Sequence, residues 1–114
     1  MRTLPLNEFA QVTLDGHGNG TASIGPLSAG ERWPGGFVAA VHCATNVSEA
    51  TCRVYCGGSA DPQWFTDGTT WGSTGDSTTN TRPLGGGQQC FAVWSGGDAG
   101  ATAYLTVTGE KEVA

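Results

Sequence analysis

The chain has 114 residues, 19 of them glycine, and its ten acidic and five basic side chains give a net charge of −5 at pH 7. This length suits one domain with a single core, and the absence of a Lys/Arg cluster argues against a nucleic-acid-binding protein. No apolar run is long enough to span a membrane, and the first residues lack the apolar segment of a secretory signal, so we expect synthesis in the cytoplasm.

Residues 1–8 are predicted to form an N-terminal arm, because Pro5 interrupts the run and the apolar residues near it have no local partner. Two interpretations stay open. The arm is frayed in solution, or it lies on a neighbouring subunit and buries Leu4, Leu6 and Phe9. Residues 9–114 are predicted to form a single domain.

Alternation of apolar and polar residues predicts the strands that follow. A first hairpin is expected over 9–24, with turn residues at 15–20. Strands are then predicted at 37–43 and 51–56, on either side of a polar loop. Segment 57–87 is rich in Gly, Ser and Thr, and we expect one or two short strands there, because a structureless stretch of that length is unusual in a compact domain.

The clearest pattern lies near the end of the chain. Two strand-like runs at 88–94 and 101–108 flank turn residues, which predicts a hairpin with a medium loop. In the second run Ala101, Ala103, Leu105 and Val107 share one face. No helical period appears anywhere, so we predict an all-β protein: an antiparallel, jelly-roll-like β-sandwich of seven to eight short strands.

Four cysteines raise the question of disulfides. Cys52 and Cys56 lie on one predicted strand, too far apart to pair with each other. The geometrically easiest arrangement joins Cys43 to Cys52 across a hairpin and Cys56 to Cys90. Because a cytosol keeps thiols reduced, we expect buried thiols ahead of these disulfides. A zinc site is disfavoured, since the sequence has neither Cys-x-x-Cys nor a nearby His pair.

No set of residues indicates catalysis. His17 and His42 are the two histidines, one in a turn and one on the outward side of a predicted strand, and neither lies beside a recognisable nucleophile pattern. The aspartates of the turns lie beside Gly, Pro or Ser, and turn formation explains them. We therefore predict a protein that is not an enzyme, with no catalytic residue, no metal and no cofactor.

The tryptophans are the residues most suited to contact a partner or to fill the core. We expect Trp33 and Trp94 to be buried. Trp64 and Trp71 lie in the loop-rich segment and are the better candidates for partner binding, together with the arm.

Turn-rich motifs extend over most of the chain from Val12 onward: LDGxGNGT at 14–21, IGP at 24–26, ExW at 31–33, FxDGT at 65–69, GSTGDS at 72–77, AVWSGGDAGA at 92–101 and VTG at 107–109. In these motifs the chain resembles a group of small Gly/Thr-rich β-proteins of actinobacterial tailed phages. The resemblance implies a virion structural protein without enzymatic activity, either a capsid decoration protein or a minor tail component. The four cysteines and Trp71 are not part of it.

The resulting hypothesis is a capsid decoration protein, made in the host cytoplasm and bound to the outer surface of the virion. Its partner would be the major capsid protein, and it would be a homo-oligomer, with a trimer as one arrangement. By binding the assembled shell and not loose subunits, it would stabilise the shell. Two alternatives stay open: a minor tail or baseplate protein, and a carbohydrate-binding module that contacts cell-surface glycan through Trp64 and Trp71.

Overall fold

The computed structural model describes residues 2–25, 28–34, 37–44, 49–57, 65–71, 76–80 and 83–114. Over these residues the chain is all-β and antiparallel, as predicted. The strands are β1 (Arg2–Thr13), β2 (Gly20–Ile24), β3 (Glu31–Arg32), β4 (Phe37–Ala44), β5 (Glu49–Gly57), β6 (Phe65–Trp71), β7 (Asp76–Asn80), β8 (Gln89–Ser95) and β9 (Thr102–Val113). Segment 57–87, in which one or two short strands are expected, contains β6 and β7.

The strands form two sheets that pack face to face. Sheet A has the order β1-β9-β4-β7, with the two-residue β3 also paired to β9, and sheet B has the order β2-β8-β5-β6. Apart from β3, eight strands pair as nested ribbons, β1 with β9, β2 with β8, β4 with β7 and β5 with β6. This is the strand order of a jelly roll.

The predicted hairpins are wrong, although the strands that compose them are present. The strands β8 and β9 lie in different sheets, as do β1 and β2, and β4 and β5. The turn residues between them therefore carry the chain from one sheet to the other. The alternation of side chains reports a strand with one buried face, and it does not report which strand lies beside it.

Residues 2–8 form the first half of β1 and not a separate arm. They continue the ladder with β9, from Arg2 opposite Val113 to Glu8 opposite Val107. Pro5 is compatible with this strand because β1 is the edge of sheet A, where one side of the backbone needs no donor. The edge position thus accommodates Pro5, which does not interrupt the strand as predicted.

The core lies between the two sheets. The residues of β9 that point into the core are those that the alternation predicts. Leu105 and Val107 among them are fully buried. Trp33 and Trp94 have 0% of their surface exposed, which confirms their predicted burial. The Trp33 indole packs edge-on against Phe37 at a ring-centroid distance of 5.3 Å.

One end of the sandwich is closed by the β1–β2 turn and the β8–β9 loop. Asp15 Oδ1 accepts the backbone N–H groups of His17 at 2.8 Å and of Asn19 at 3.0 Å, which fixes the turn. The Gly97 N–H then donates to the Gly18 carbonyl at 3.1 Å, so that the two crossovers are joined.

Candidate contact surface

Over the stretch where β1, β9 and β4 lie side by side, the outward side of sheet A presents a continuous surface, and we call this stretch the outer A face. It is formed by residues that alternate with the buried ones on four neighbouring strands. Its described members are Asn7, Phe9, Gln11 and Thr13 of β1, Thr102, Tyr104, Thr106 and Thr108 of β9, Val38, Ala40 and His42 of β4, and Ser77 of β7.

The outer A face carries no Asp, Glu, Lys or Arg among these members, in a chain whose net charge is −5. The first charged side chains on this side of β9 are Glu110 and Glu112, near the end of the strand, where Glu112 accepts a bond from Arg32 at 3.0 Å. Centres of protein interfaces are depleted in charged residues and enriched in aromatic ones. The outer A face therefore has the composition of a contact surface.

Three aromatic rings lie on this face. Phe9 is 66% exposed and is the one exposed large hydrophobic side chain among the described residues. The rings of Tyr104 and His42 are stacked, with centroids 4.7 Å apart and planes 20° apart. Gln11 lies opposite Tyr104 on the adjacent strand and places an amide beside the stacked pair.

The predicted partner-binding residues fall in three different places. Leu6 is 2% exposed and belongs to the core, and Leu4 is partly buried on the same side of β1. Phe9 points the opposite way and is open to a partner. Trp64 lies outside the described residues, and Trp71 ends β6 with a side chain that is also outside them.

Sequence reasoning missed most of the outer A face. It placed His42 on the outward side of its strand but had no reason to pair it with Tyr104, because the two are far apart in the chain. The signal was present in the alternation of β9, whose outward residues from 102 to 108 are threonines and one tyrosine. What the sequence lacked was the order of strands, which brings His42 opposite Tyr104.

The cysteines occupy both sheets. Cys56 and Cys90 lie directly opposite each other on β5 and β8, and Cys52 is opposite Trp94. Cys43 is on β4 in sheet A, so a Cys43–Cys52 pair would cross the sandwich and not a hairpin. Cys52 and Cys90 are buried. Both disulfide pairings stay predictions.

The pKa of Asp15 is shifted. The backbone N–H donors of Asn19 and His17 lower the pKa of Asp15 below its ordinary value, because they stabilise the charged carboxylate. Within the described ranges, no three His, Cys, Asp or Glu side chains come together as they would around a metal ion. The same ranges contain no helix long and apolar enough to cross a membrane.

Comparison with known proteins gives a distant structural similarity. No family model matches the chain, and no curated protein matches it. Among solved structures, IMPa from Pseudomonas aeruginosa, determined in complex with an O-glycopeptide, matches 93% of this chain with a TM-score of 0.45 and 17% identity. The match covers 12% of the IMPa chain.

Proposed function

We propose that the chain is a structural protein of a tailed-phage virion, without enzymatic activity, and that it decorates the capsid by docking its outer A face on the assembled shell. The observation that carries this proposal is the absence of charge on that face, in a chain that is otherwise acidic. The motif resemblance to Gly/Thr-rich phage proteins supports the virion as the location.

The geometry fits binding more closely than it fits chemistry. The outer A face is a sheet surface in which Phe9 is exposed on the edge strand, beside the hydroxyl side chains of β9. Such a surface gains contact area from the aromatic side chains and hydrogen bonds from the threonines, as interface centres do. The partner in this proposal is the major capsid protein.

The first experiment counts the chain in purified particles of the phage that carries its gene, by quantitative mass spectrometry. We expect hundreds of copies in each particle. A handful of copies would indicate a location in the tail or baseplate and not on the capsid. Absence from purified particles would overturn the virion proposal.

The second experiment tests the docking face on the same particles. Thr108→Lys introduces a charge on β9, the central strand of the outer A face, at an exposed position, and Thr21→Lys introduces the same charge on the exposed side of sheet B. We expect the first variant to lose about tenfold or more in affinity for particles stripped of the protein, and the control to bind as the unmodified chain does. Equal binding by both variants would exclude this face.

A carbohydrate-binding module is the second candidate, and the stacked Tyr104–His42 pair favours it. The partly exposed ring of Tyr104, with Gln11 opposite it on the next strand, offers stacking and hydrogen bonding to a sugar. A glycan array tests it: binding that is lost on Tyr104→Ala would support this candidate, and no binding by the folded chain would remove it.

A further inference from the structure

The outer edge of β1 is the longest sheet edge in the structure. The strand has 12 residues, whereas the other edge strands β2, β6 and β7 have 5, 7 and 5. In the part of the chain that the structure describes, β9 is the one strand that pairs with β1. A long open edge presents a row of backbone donors and acceptors that another strand can pair with.

The alternation of the ladder tells which groups form this row. At the end of β1 both backbone groups of Leu14 are directed to the β9 side: its N–H donates to Ala101 at 2.8 Å, and its carbonyl accepts from Gly100 at 3.0 Å. Because this direction alternates along an antiparallel strand, the backbone N–H and carbonyl groups of the even residues of β1 are directed to β9, and those of the odd residues are directed to the open edge. Pro5 is odd, so its missing N–H is on the outward side and costs β9 no bond.

We propose that a second copy of this chain pairs with β1 through the same edge, antiparallel, about a twofold axis at Phe9. Because the outward groups belong to odd residues, Phe9 then lies opposite Phe9 of the second copy, and Asn7 lies opposite Gln11 of the second copy. The two A sheets become one continuous sheet. An interface of this kind is isologous, since each residue of one copy meets its counterpart of the other.

The side chains fit this register. Phe9 is 66% exposed in the single chain and is covered by its counterpart in the pair. Asn7 and Gln11 are uncharged amides that can donate to and accept from each other across the axis. On the inner side Glu8 lies opposite Ala10 of the second copy, and its carboxylate is already 4.0 Å from the Lys111 ammonium.

The neighbouring register is less favourable. A shift of the axis by one residue towards the start of β1 would place Glu8 directly opposite Glu8 of the second copy, and like charges in that position destabilise a sheet. Pro5 removes one donor at each end of the paired segment, which limits the pairing to the middle and end of the strand. The charge pattern and the proline therefore disfavour registers centred nearer the start of β1.

The test is crosslinking with a matched pair of variants. In a hydrogen-bonded antiparallel pair the Cα atoms are about 5.5 Å apart, within the range that a disulfide spans. With diamide as oxidant, we expect Phe9→Cys to form a covalent dimer of twice the 11.6 kDa chain mass at least about tenfold faster than Thr13→Cys. Both positions are exposed on the same face, but Thr13 is far from the axis. The unmodified chain reports any linkage through its own cysteines.

Two further measurements use chains in which Phe9 is unchanged. Chains carrying Asn7→Cys, mixed with chains carrying Gln11→Cys, should give mixed dimers in excess of either homodimer. Sedimentation equilibrium of the unmodified chain should show its mass rising to twice the monomer value with concentration. Equal crosslinking rates for Phe9→Cys and Thr13→Cys, random pairing in the mixture, or a monomer at all concentrations would each overturn the proposal.

The result is separable from the docking of the outer A face. Thr108→Lys lies on the central strand and not at the edge, so it should leave crosslinking unchanged while it weakens binding to particles. If crosslinking fails while particle binding persists, the proposal of edge pairing is overturned and the proposal that the outer A face docks on the shell stands.

Discussion

Replacing Gly18 by alanine should destabilise the chain far more than the same change at Gly16 or Gly96, because the three positions differ in two separable ways. Gly18 has a φ of +77°, and a Cβ there would overlap the backbone carbonyl of Gly97. Gly96 has a φ of +74° with nothing within 4 Å of a Cβ. Gly16 also has open space, and its φ is not in the positive range.

The magnitudes follow from adding these contributions. A positive φ costs an alanine roughly 1–2 kcal/mol relative to glycine, so Gly96→Ala should lose about that much. Forcing atoms into a filled space costs a further 1–3 kcal/mol or so, which brings Gly18→Ala to about 2–5 kcal/mol. Gly16→Ala should be neutral or stabilise by about 0.5 kcal/mol, because alanine restricts the unfolded chain.

Urea denaturation of the three variants, followed by tryptophan fluorescence, measures the differences in unfolding free energy. Thermal unfolding should repeat the order, with roughly 4 °C for each kcal/mol in a domain of this size. If Gly18→Ala and Gly96→Ala lost the same stability, the contact between Gly18 and Gly97 would not hold the two crossovers together.

Three other predictions concern the core and the turn. Leu105→Ala should cost about 2–5 kcal/mol of unfolding free energy, because the side chain is fully buried on the central strand, whereas Thr108→Val on the exposed side should stay within about 0.5 kcal/mol. Trp33→Phe should cost more than Trp94→Phe, since the Trp33 indole N–H donates to a carboxylate at 3.0 Å while that of Trp94 has no partner among the described residues. The stabilising effect of Asp15 over Asp15→Ala should be complete above the ordinary carboxyl pKa and should disappear as the pH falls through the lowered pKa of the folded state.

Each of these has its own decisive comparison. Urea titrations at neutral pH decide the first two, and a Leu105→Ala loss no larger than that of Thr108→Val would contradict the assigned core. For Asp15, the titrations are repeated from pH 7 to pH 2. A gap between the two chains that widens on acidification would reverse the sign of the linkage.

Strand positions were predictable from the sequence because buried and exposed residues alternate within each strand. Leu105 and Val107 alternate with threonine, and that pattern depends on the sandwich having one dry side. The partners of each strand were not predictable in this way. Turn residues such as Asp15 and Gly18 look alike whether the turn joins neighbours in a sheet or crosses between sheets, because the local hydrogen bonds are the same.

The candidate surface was predictable only in part for the same reason. Phe9 was identified as a residue without a local apolar partner, and it is exposed. Leu6 was grouped with it because both are apolar and near Pro5, yet the two point to opposite sides of β1. The alternation of side chains along a strand places residues 6 and 9 on opposite faces. This was not predicted, because a proline usually marks the end of a strand or an edge strand.

The position of β9 in the centre of sheet A has a consequence for how the protein is made. Val113 pairs with Arg2, and β4 pairs with the same strand on its other side. Neither β1 nor β4 has this neighbour until the ribosome has synthesised β9, and chains dominated by such distant pairings fold over milliseconds to seconds. During that interval both strands expose backbone that β9 later covers, so nascent chains of this protein should depend on chaperones more than a helical protein of equal length would.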